Sequence, residues 1–253
     1  LARDSSGIKN ACGMEIIMYL NEGEIVPFMG LEKYNEQGKD LLTFLEEYDP
    51  KKYDNPCNTV DTCVFTYSRE DMKVKKVMLI RRRNHPSIGM WALPGGFVEY
   101  REDIDKAALR ELEEETGVSD IEVEQLKSYG EYNRDPRTRI ITTAYVALIP
   151  EGSVQPEAGD DARDAGWFNI EDIREDIYLD ENGIMHDKHC LKLTGDDVEN
   201  TITESHIEIT YKKNAILKNV NYKVTKTSLL AADHGAIILE GYHHVCDRLS
   251  RML

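Results

Sequence analysis

Between Gly96 and Val118 the chain sets carboxylates at a spacing that calls for a cation. On an ideal α-helix, at about 100° per residue, Glu111, Glu114 and Glu115 fall within an arc of roughly 100° and so share one face. Three carboxylates that close repel one another and raise one another's pKa unless positive charge stands among them. Oxygen donors of this kind suit Mg²⁺ or Mn²⁺ and disfavour zinc. Arg110 lies beside this face and is placed to hold a glutamate through a forked hydrogen bond. Taken alone, the run from Glu111 to Glu115 also reads as a solvated acidic helix face. The residues around it decide between the two.

Gly96 is followed after five residues by Glu102, and Glu102 after seven more by Arg110-Glu111-Leu112-Glu113-Glu114-Glu115-Thr116-Gly117-Val118. Seven fixed identities, each at a background of roughly 7%, coincide at a given site about once in a hundred million. On these residues the sequence resembles the Nudix hydrolase superfamily, whose box reads Gly, x5, Glu, x7, Arg-Glu-aliphatic-x-Glu-Glu-x-Gly-aliphatic. The likeness runs from about Thr59 to Phe168 and takes in the final helix. It implies an α/β fold, the Nudix α/β/α sandwich with a mixed sheet, in which the box forms loop, helix and loop wedged between two sheets. It also implies that Glu111, Glu114 and Glu115 are metal ligands, with the carbonyl of Gly95 as a further oxygen. Gly95 and Gly96 let the backbone approach the metal, and Gly117 permits the exit turn. Glu102 and Arg110 support the loop and orient the helix, with direct metal contact the alternative for Glu102. The reaction implied is attack of water on a phosphorus atom of a pyrophosphate, with Mg²⁺, or Mn²⁺, neutralising phosphoryl oxygens and acidifying the water. The general base is a box glutamate or an acid in a later loop, where Asp160 and Asp161 are the candidates. That pair also suits plain turn chemistry.

The box defines the chemistry and leaves the substrate to other residues. Arg81-Arg82-Arg83 before His85-Pro86, Trp91-Ala92-Leu93-Pro94-Gly95-Gly96-Phe97, Arg134-Asp135-Pro136-Arg137, and Ala158-Gly159-Asp160-Asp161-Ala162 before Trp167-Phe168 resemble the ADP-ribose pyrophosphatase branch. The same features recur in the related regulators of NAD metabolism. ADP-ribose, split to AMP and ribose 5-phosphate, is therefore the substrate implied, with Arg81, Arg82, Arg137 and Gly96 meeting it. The three consecutive arginines equally read as a strand ending at the surface. Two other functions stay open. Leu230-Ala231-Ala232-Asp233-His234 resembles the segment that begins the last helix in ligand-sensing transcription regulators, where a basic winged helix follows. Neither the acidic balance nor the short stretch up to Leu253 provides for one here. A binding member without catalysis is the other, and the intact box speaks against it. Other ADP-sugars, dinucleotides and oxidised nucleotides fall within the same chemistry.

The elements that must position these groups are legible from periodicity. β-Branched and aromatic residues predict a strand over 59–67, and a second over 77–81 makes a hairpin with it. Ile104, Ala108 and Leu112 form one stripe of a helix over 102–115, with Gly117 at its C-cap. Strands are expected at 122–129 and 140–148. Trp167 and Phe168 then anchor the chain, and a polar segment near Glu171 carries no predicted element. Residues 201–211 and 220–224 alternate in period two and predict further strands. The last helix, over 233–253, sets Ile237, Ile238, Gly241, Val245 and Leu249 along one side. Ahead of the hairpin, 14–30 reads as an edge strand or hairpin, and 36–47 as a helix stopped by Asp49-Pro50.

A length of 253 residues allows one or two domains without covalent staples. Five segments are read: 1–13 as a non-native remnant, an upstream fragment or a disordered stretch, because Met14 is the first methionine; 14–55 as an N-terminal extension; 56–184 as the core; 185–224 as a β-rich insertion; and 225–253 as a helix packing on the core. The insertion is expected to add strands at a sheet edge or to build a homodimer contact. With 41% hydrophobic residues, 31% charged and a net charge of −16, the chain reads as soluble and globular. Its acidity opposes nucleic-acid backbones, whereas a bound divalent cation can reverse the local field for a small anionic substrate. Five cysteines without CxxC spacing fit a reduced, cytoplasmic setting, and no apolar run is long enough to span a membrane. His243-His244 and His189-Cys190 read as surface or core residues rather than metal ligands.

Overall fold

The computed structural model describes residues 8–9, 15–16, 20, 22–159, 162–196, 201–217 and 219–252. They divide into two units, Leu1–Asn55 and Pro56–Leu253. In the first, β1 (Ile8–Lys9) pairs antiparallel with β2 (Glu15–Ile16). α1 (Glu22–Ile25), a 3₁₀ turn at Val26–Phe28 and α2 (Leu41–Glu47) follow. The helix expected over 36–47 thus starts late. Gly38, at φ +75°, and Asn35 close a turn just before it, and Asp40 caps it by accepting from the Thr43 amide at 2.9 Å.

The second unit runs β3 (Cys57–Tyr67), β4 (Val74–Arg82), β5 (Trp91–Ala92), α3 (Ile104–Thr116), β6 (Glu124–Tyr129), β7 (Ile140–Pro150), β8 (Ala162–Leu179), β9 (Ile184–Gly195), β10 (Ile202–Lys212), β11 (Asn221–Thr227) and α4 (His234–Ser250). One nine-stranded sheet carries them in the order β11-β10-β9-β8-β4-β3-β7-β6, with β5 paired to β4. β3 and β7 run parallel and the other neighbours antiparallel, so the sheet is mixed and forms one hydrogen-bonded path in place of two separate sheets.

Period-two alternation sorts the strand residues onto two faces. Phe65, Val77, Leu79 and Val146 pack with Ile237, Ile238 and Val245 of α4. Their neighbours Val64, Met78 and Ala147 pack with Leu112 of α3, and Val60 and Tyr145 pack with Ala107 and Ala108. The two long helices therefore cover opposite faces, which gives the α/β/α sandwich. Each fully buried large side chain contributes about 1.5–3 kcal/mol. Gly241 lets α4 sit close, because a Cβ there would come within 3.2 Å of Val146.

The polar run after Phe168 is the main departure from expectation: it continues as strand to Leu179 and pairs with β9 through the turn at 180–183. Among the described residues, no helix is long and apolar enough to cross a membrane.

Candidate active site

The loop 94–98 is laced to the edge of β3. Thr62 donates to the Pro94 carbonyl, Val60 to Gly96 and Val98 to Asn58, at 2.9–3.0 Å. At Gly95, contact at this distance admits no side chain. A Cβ on Gly95 would stand 2.0 Å from the Val60 carbonyl oxygen, and one on Gly96 would stand 2.4 Å from the Glu111 carboxylate. Gly117, at φ +69°, ends α3 and donates to the Glu113 carbonyl at 2.8 Å, the left-handed cap its position predicts.

Arg110 organises the acids. Its Nε and Nη2 donate to the two oxygens of Glu102 at 2.8 Å, its Nη1 donates to Glu111 at 2.8 Å and to Glu114 at 2.9 Å, and Nη2 also reaches the Phe97 carbonyl at 3.0 Å. The guanidinium supplies the positive charge that lets three carboxylates converge. Hydrogen bonds from Arg110 hold the Glu102 carboxyl down at about 2. Burial works the other way on Glu111 and raises its pKa despite Arg110. Glu115 points inward, is 8% exposed, and accepts from the Gly95 amide at 2.8 Å. Burial pushes its carboxyl up to about 8, with the Gly95 hydrogen bond opposing.

Glu115, Gly95 and Gly96 open onto a cleft of about 220 Å³. Of the arginines expected to meet substrate, Arg82 and Arg137 line it and Arg81 does not. Arg82 is braced by its Nε on the Pro86 carbonyl at 2.8 Å. Arg137 forms a forked pair with Asp135 at 2.9–3.0 Å and lies 5.3 Å from the Phe97 ring centroid. Arg81 is instead held by the Gly89 carbonyl at 3.1 Å. Alternation along β4 sets Arg82 on the face of Ile80, which also lines the cleft, and Arg81 on the other. Asp160 and Asp161 lie outside the described residues. Before them, Gly159 donates to the Glu115 carbonyl at 3.0 Å, so that loop is tied to the end of α3.

Sequence reasoning missed Asp61, Arg83, Arg134, Asp233 and His234, which also line the cleft. Arg134 is gripped by Asp233 at 2.9 and 3.0 Å. His234 Nδ1 accepts from the Leu93 amide at 3.0 Å, and Trp91 donates to the Leu229 carbonyl at 2.7 Å and accepts from the Ala231 amide at 2.8 Å, both in the segment before α4. The cleft floor is thus stitched to the loop that leads into the box. The sequence signals were present, in Arg134-Asp135-Pro136-Arg137 and Leu230-Ala231-Ala232-Asp233-His234, but the contact partners lie far away in the chain.

The three box glutamates do not form a tight ligand group. Among the described residues, the groups whose donor atoms lie within 4.8 Å of one another are Asp172–His189–His243 and Glu175–Cys190–His206.

Residues 57–188 match the family model described as the NUDIX domain, just over half of the chain. The chain is 36% identical over 115 residues to the ADP-ribose pyrophosphatase of Methanocaldococcus jannaschii, covering 46% of this chain and 66% of that protein. It is 32% identical over 145 residues to the ADPR responsive transcriptional repressor NtrR of Acinetobacter baylyi, covering 56% of each. The chain therefore spans less than two thirds of either relative. Among solved structures, the MutT/nudix family protein from Enterococcus faecalis is similar over 90% of this chain and 76% of its own, at 32% identity and a TM-score of 0.57. That likeness reaches well beyond residues 57–188.

Proposed function

The chain belongs to the NUDIX domain family, and from that premise we propose that it hydrolyses the pyrophosphate of a nucleoside diphosphate derivative, ADP-ribose being cut to AMP and ribose 5-phosphate. The observation that carries this reading is the meeting of a buried box carboxylate, Glu115, with Arg82, Arg83, Arg134 and Arg137 around one cleft. A diphosphate there finds guanidinium donors on one side and the acidic helix on the other. The curated ADP-ribose pyrophosphatase relative supports the choice of substrate.

The donor set fits a hard divalent ion: every side chain it offers is a carboxylate, and the Glu111 carboxylate lies directly against Gly96, where a Cβ would overlap it. Glu111, Glu114 and Glu115 would hold Mg²⁺ or Mn²⁺, with the Gly95 carbonyl as a further oxygen. Bound there, the ion neutralises phosphoryl oxygens and acidifies water. The chain's own residues do the rest. Arg110 aims Glu111 and Glu114, and Glu102 fixes Arg110. Arg82 and Arg137 bind phosphate, each held in place by its partner, and Phe97, 44% exposed, offers an apolar face to the base or sugar. Asp161 is assigned as the acid that takes the proton from water. Exposed Ile177 and Leu179, on one face of β8, support a homodimer, which light scattering reads directly.

The test is product analysis over ADP-ribose, other ADP-sugars, dinucleotides and oxidised nucleotides, comparing wild type with Glu114→Gln. ADP-ribose should give AMP and ribose 5-phosphate, and the variant should fold normally yet lose on the order of 10³-fold in kcat. Near-full activity in Glu114→Gln would refute the ligand assignment. A wild type that binds ADP-ribose without turnover would favour a sensor, as the repressor relative suggests.

A further inference from the structure

Beyond the box, β8, β9 and α4 bring together three groups far apart in the chain. Asp172 stands opposite Leu191 on β9, and His189, two residues along, projects from the same face. His189 Nδ1 lies 2.6 Å from Asp172 Oδ1, and His243 Nε2, reaching in from α4, lies 2.9 Å from Asp172 Oδ2. Burial works against charge on Asp172, but hydrogen bonds from His243 and His189 outweigh it and hold the carboxyl below the usual carboxylate range.

The far nitrogens of both imidazoles also face polar partners. His243 Nδ1 is 3.1 Å from the Tyr222 hydroxyl. His189 Nε2 is 3.0 Å from Asp187 Oδ1 but not aligned for a hydrogen bond, and it is a buried polar atom without a partner on a ring only 4% exposed. Asp187 is itself clamped by Arg174 at 2.9 and 3.0 Å. A neutral imidazole carries one N–H, yet His189 has a carboxylate at each nitrogen. A cation at Nδ1 would take the lone pair there and leave the proton on Nε2, the nitrogen that lies on the Asp187 side. Metal-bound histidines are typically oriented in this way, by a carboxylate or other acceptor at the far nitrogen.

We propose that Asp172, His189 and His243 form a binding site for a divalent transition metal, Zn²⁺ being the ion that two imidazoles and one carboxylate suit, with a fourth position left for water. The site ties α4 to the outer strands. It is separate from the box: His243 lies about 14 Å along α4 from His234 at the cleft, at 1.5 Å per residue, and both histidines lie beyond the residues that match the family model. The second cluster, Glu175–Cys190–His206, projects from the opposite face of the same strands and includes a thiol, which makes it the natural control.

The test loads the EDTA-stripped 253-residue chain with Zn²⁺ in excess Mg²⁺, so that the hard carboxylate site does not take zinc. The readouts are bound zinc by mass spectrometry after gel filtration, thermal unfolding, and the visible spectrum of the Co²⁺ form. Expected are one zinc per chain, a higher Tm, and Co²⁺ ligand-field bands with no thiolate charge-transfer band. His243→Asn, at a side chain 32% exposed, should fold and bind zinc at least tenfold more weakly. Asp172→Asn should do the same, and His206→Ala should change nothing. No zinc bound, zinc retained in a folded His243→Asn, or loss on His206→Ala with a thiolate band would each overturn the proposal.

Discussion

The box helix and the outer strands both concentrate charged side chains, and they do so by opposite means. On α3 a single guanidinium, Arg110, draws Glu102, Glu111 and Glu114 together, and the remaining donors there are all oxygens. Between β8, β9 and α4 a single carboxylate, Asp172, is held by two imidazoles, with Asp187 and Tyr222 behind them. Both lie in a chain of net charge −16, so net charge does not distinguish them. Donor atoms do. Hard oxygens favour Mg²⁺ or Mn²⁺, and imidazole favours transition metals.

The most direct way to break this contrast is to strip and reload the protein. Chelation should reduce turnover by on the order of 10³-fold or more, and Mg²⁺ or Mn²⁺ alone should restore it. Zn²⁺ alone should raise the Tm without restoring turnover. Zinc that rescues activity, or magnesium that gives the same thermal shift, would mean that the two regions do not discriminate by donor type.

A smaller effect sharpens the picture inside the box. Gly96→Ala sets a methyl 2.4 Å from the Glu111 carboxylate. That carboxylate is the end of a flexible side chain and moves aside, so the fold should hold and the Tm shift little. Its position relative to the reacting phosphate changes, and kcat should fall roughly 10- to 100-fold. Unchanged kcat in a folded Gly96→Ala protein would remove Glu111 from the metal-holding set.

What the sequence made legible follows from how local each signal is. α3 could be drawn from its apolar stripe and from Gly117, because helix period and cap lie within one short segment. β3, β7 and α4 were legible for the same reason. The outer half of β8 was not, since three charged residues, Arg174, Glu175 and Asp176, separate Ile173 from Ile177 and a register shift there breaks the period-two pattern, so the stretch gains strand form only by pairing with β9. The phase of β4 was likewise hidden, and with it the fact that Arg82 rather than Arg81 faces the cleft. Arg134 and His234 reach that cleft through Asp233 and Leu93, partners brought near only by sheet order. His189 and His243 looked ordinary in the sequence because Asp172, the group that joins them, sits in the strand that was not seen.

The smallest predicted effect concerns the brace on Arg110 rather than any metal-holding group. Hydrogen bonds from Arg110 keep the Glu102 carboxyl near 2, against an ordinary value of 4.5. A carboxyl depressed on folding stabilises the folded state fully above its unfolded pKa and loses that contribution as pH falls through the folded value. The window therefore lies between about 4.5 and about 2. Glu102→Gln keeps the shape and removes the charge, so at neutral pH its Tm should lie roughly 2–4 °C below wild type. As pH drops through the window, wild-type Glu102 takes up a proton and becomes as neutral as glutamine, and the two melting curves should converge. A gap that stays constant down to pH 2 would mean that Glu102 supports Arg110 by shape alone, and the guanidinium would then be organised by Glu111 and Glu114 without its brace.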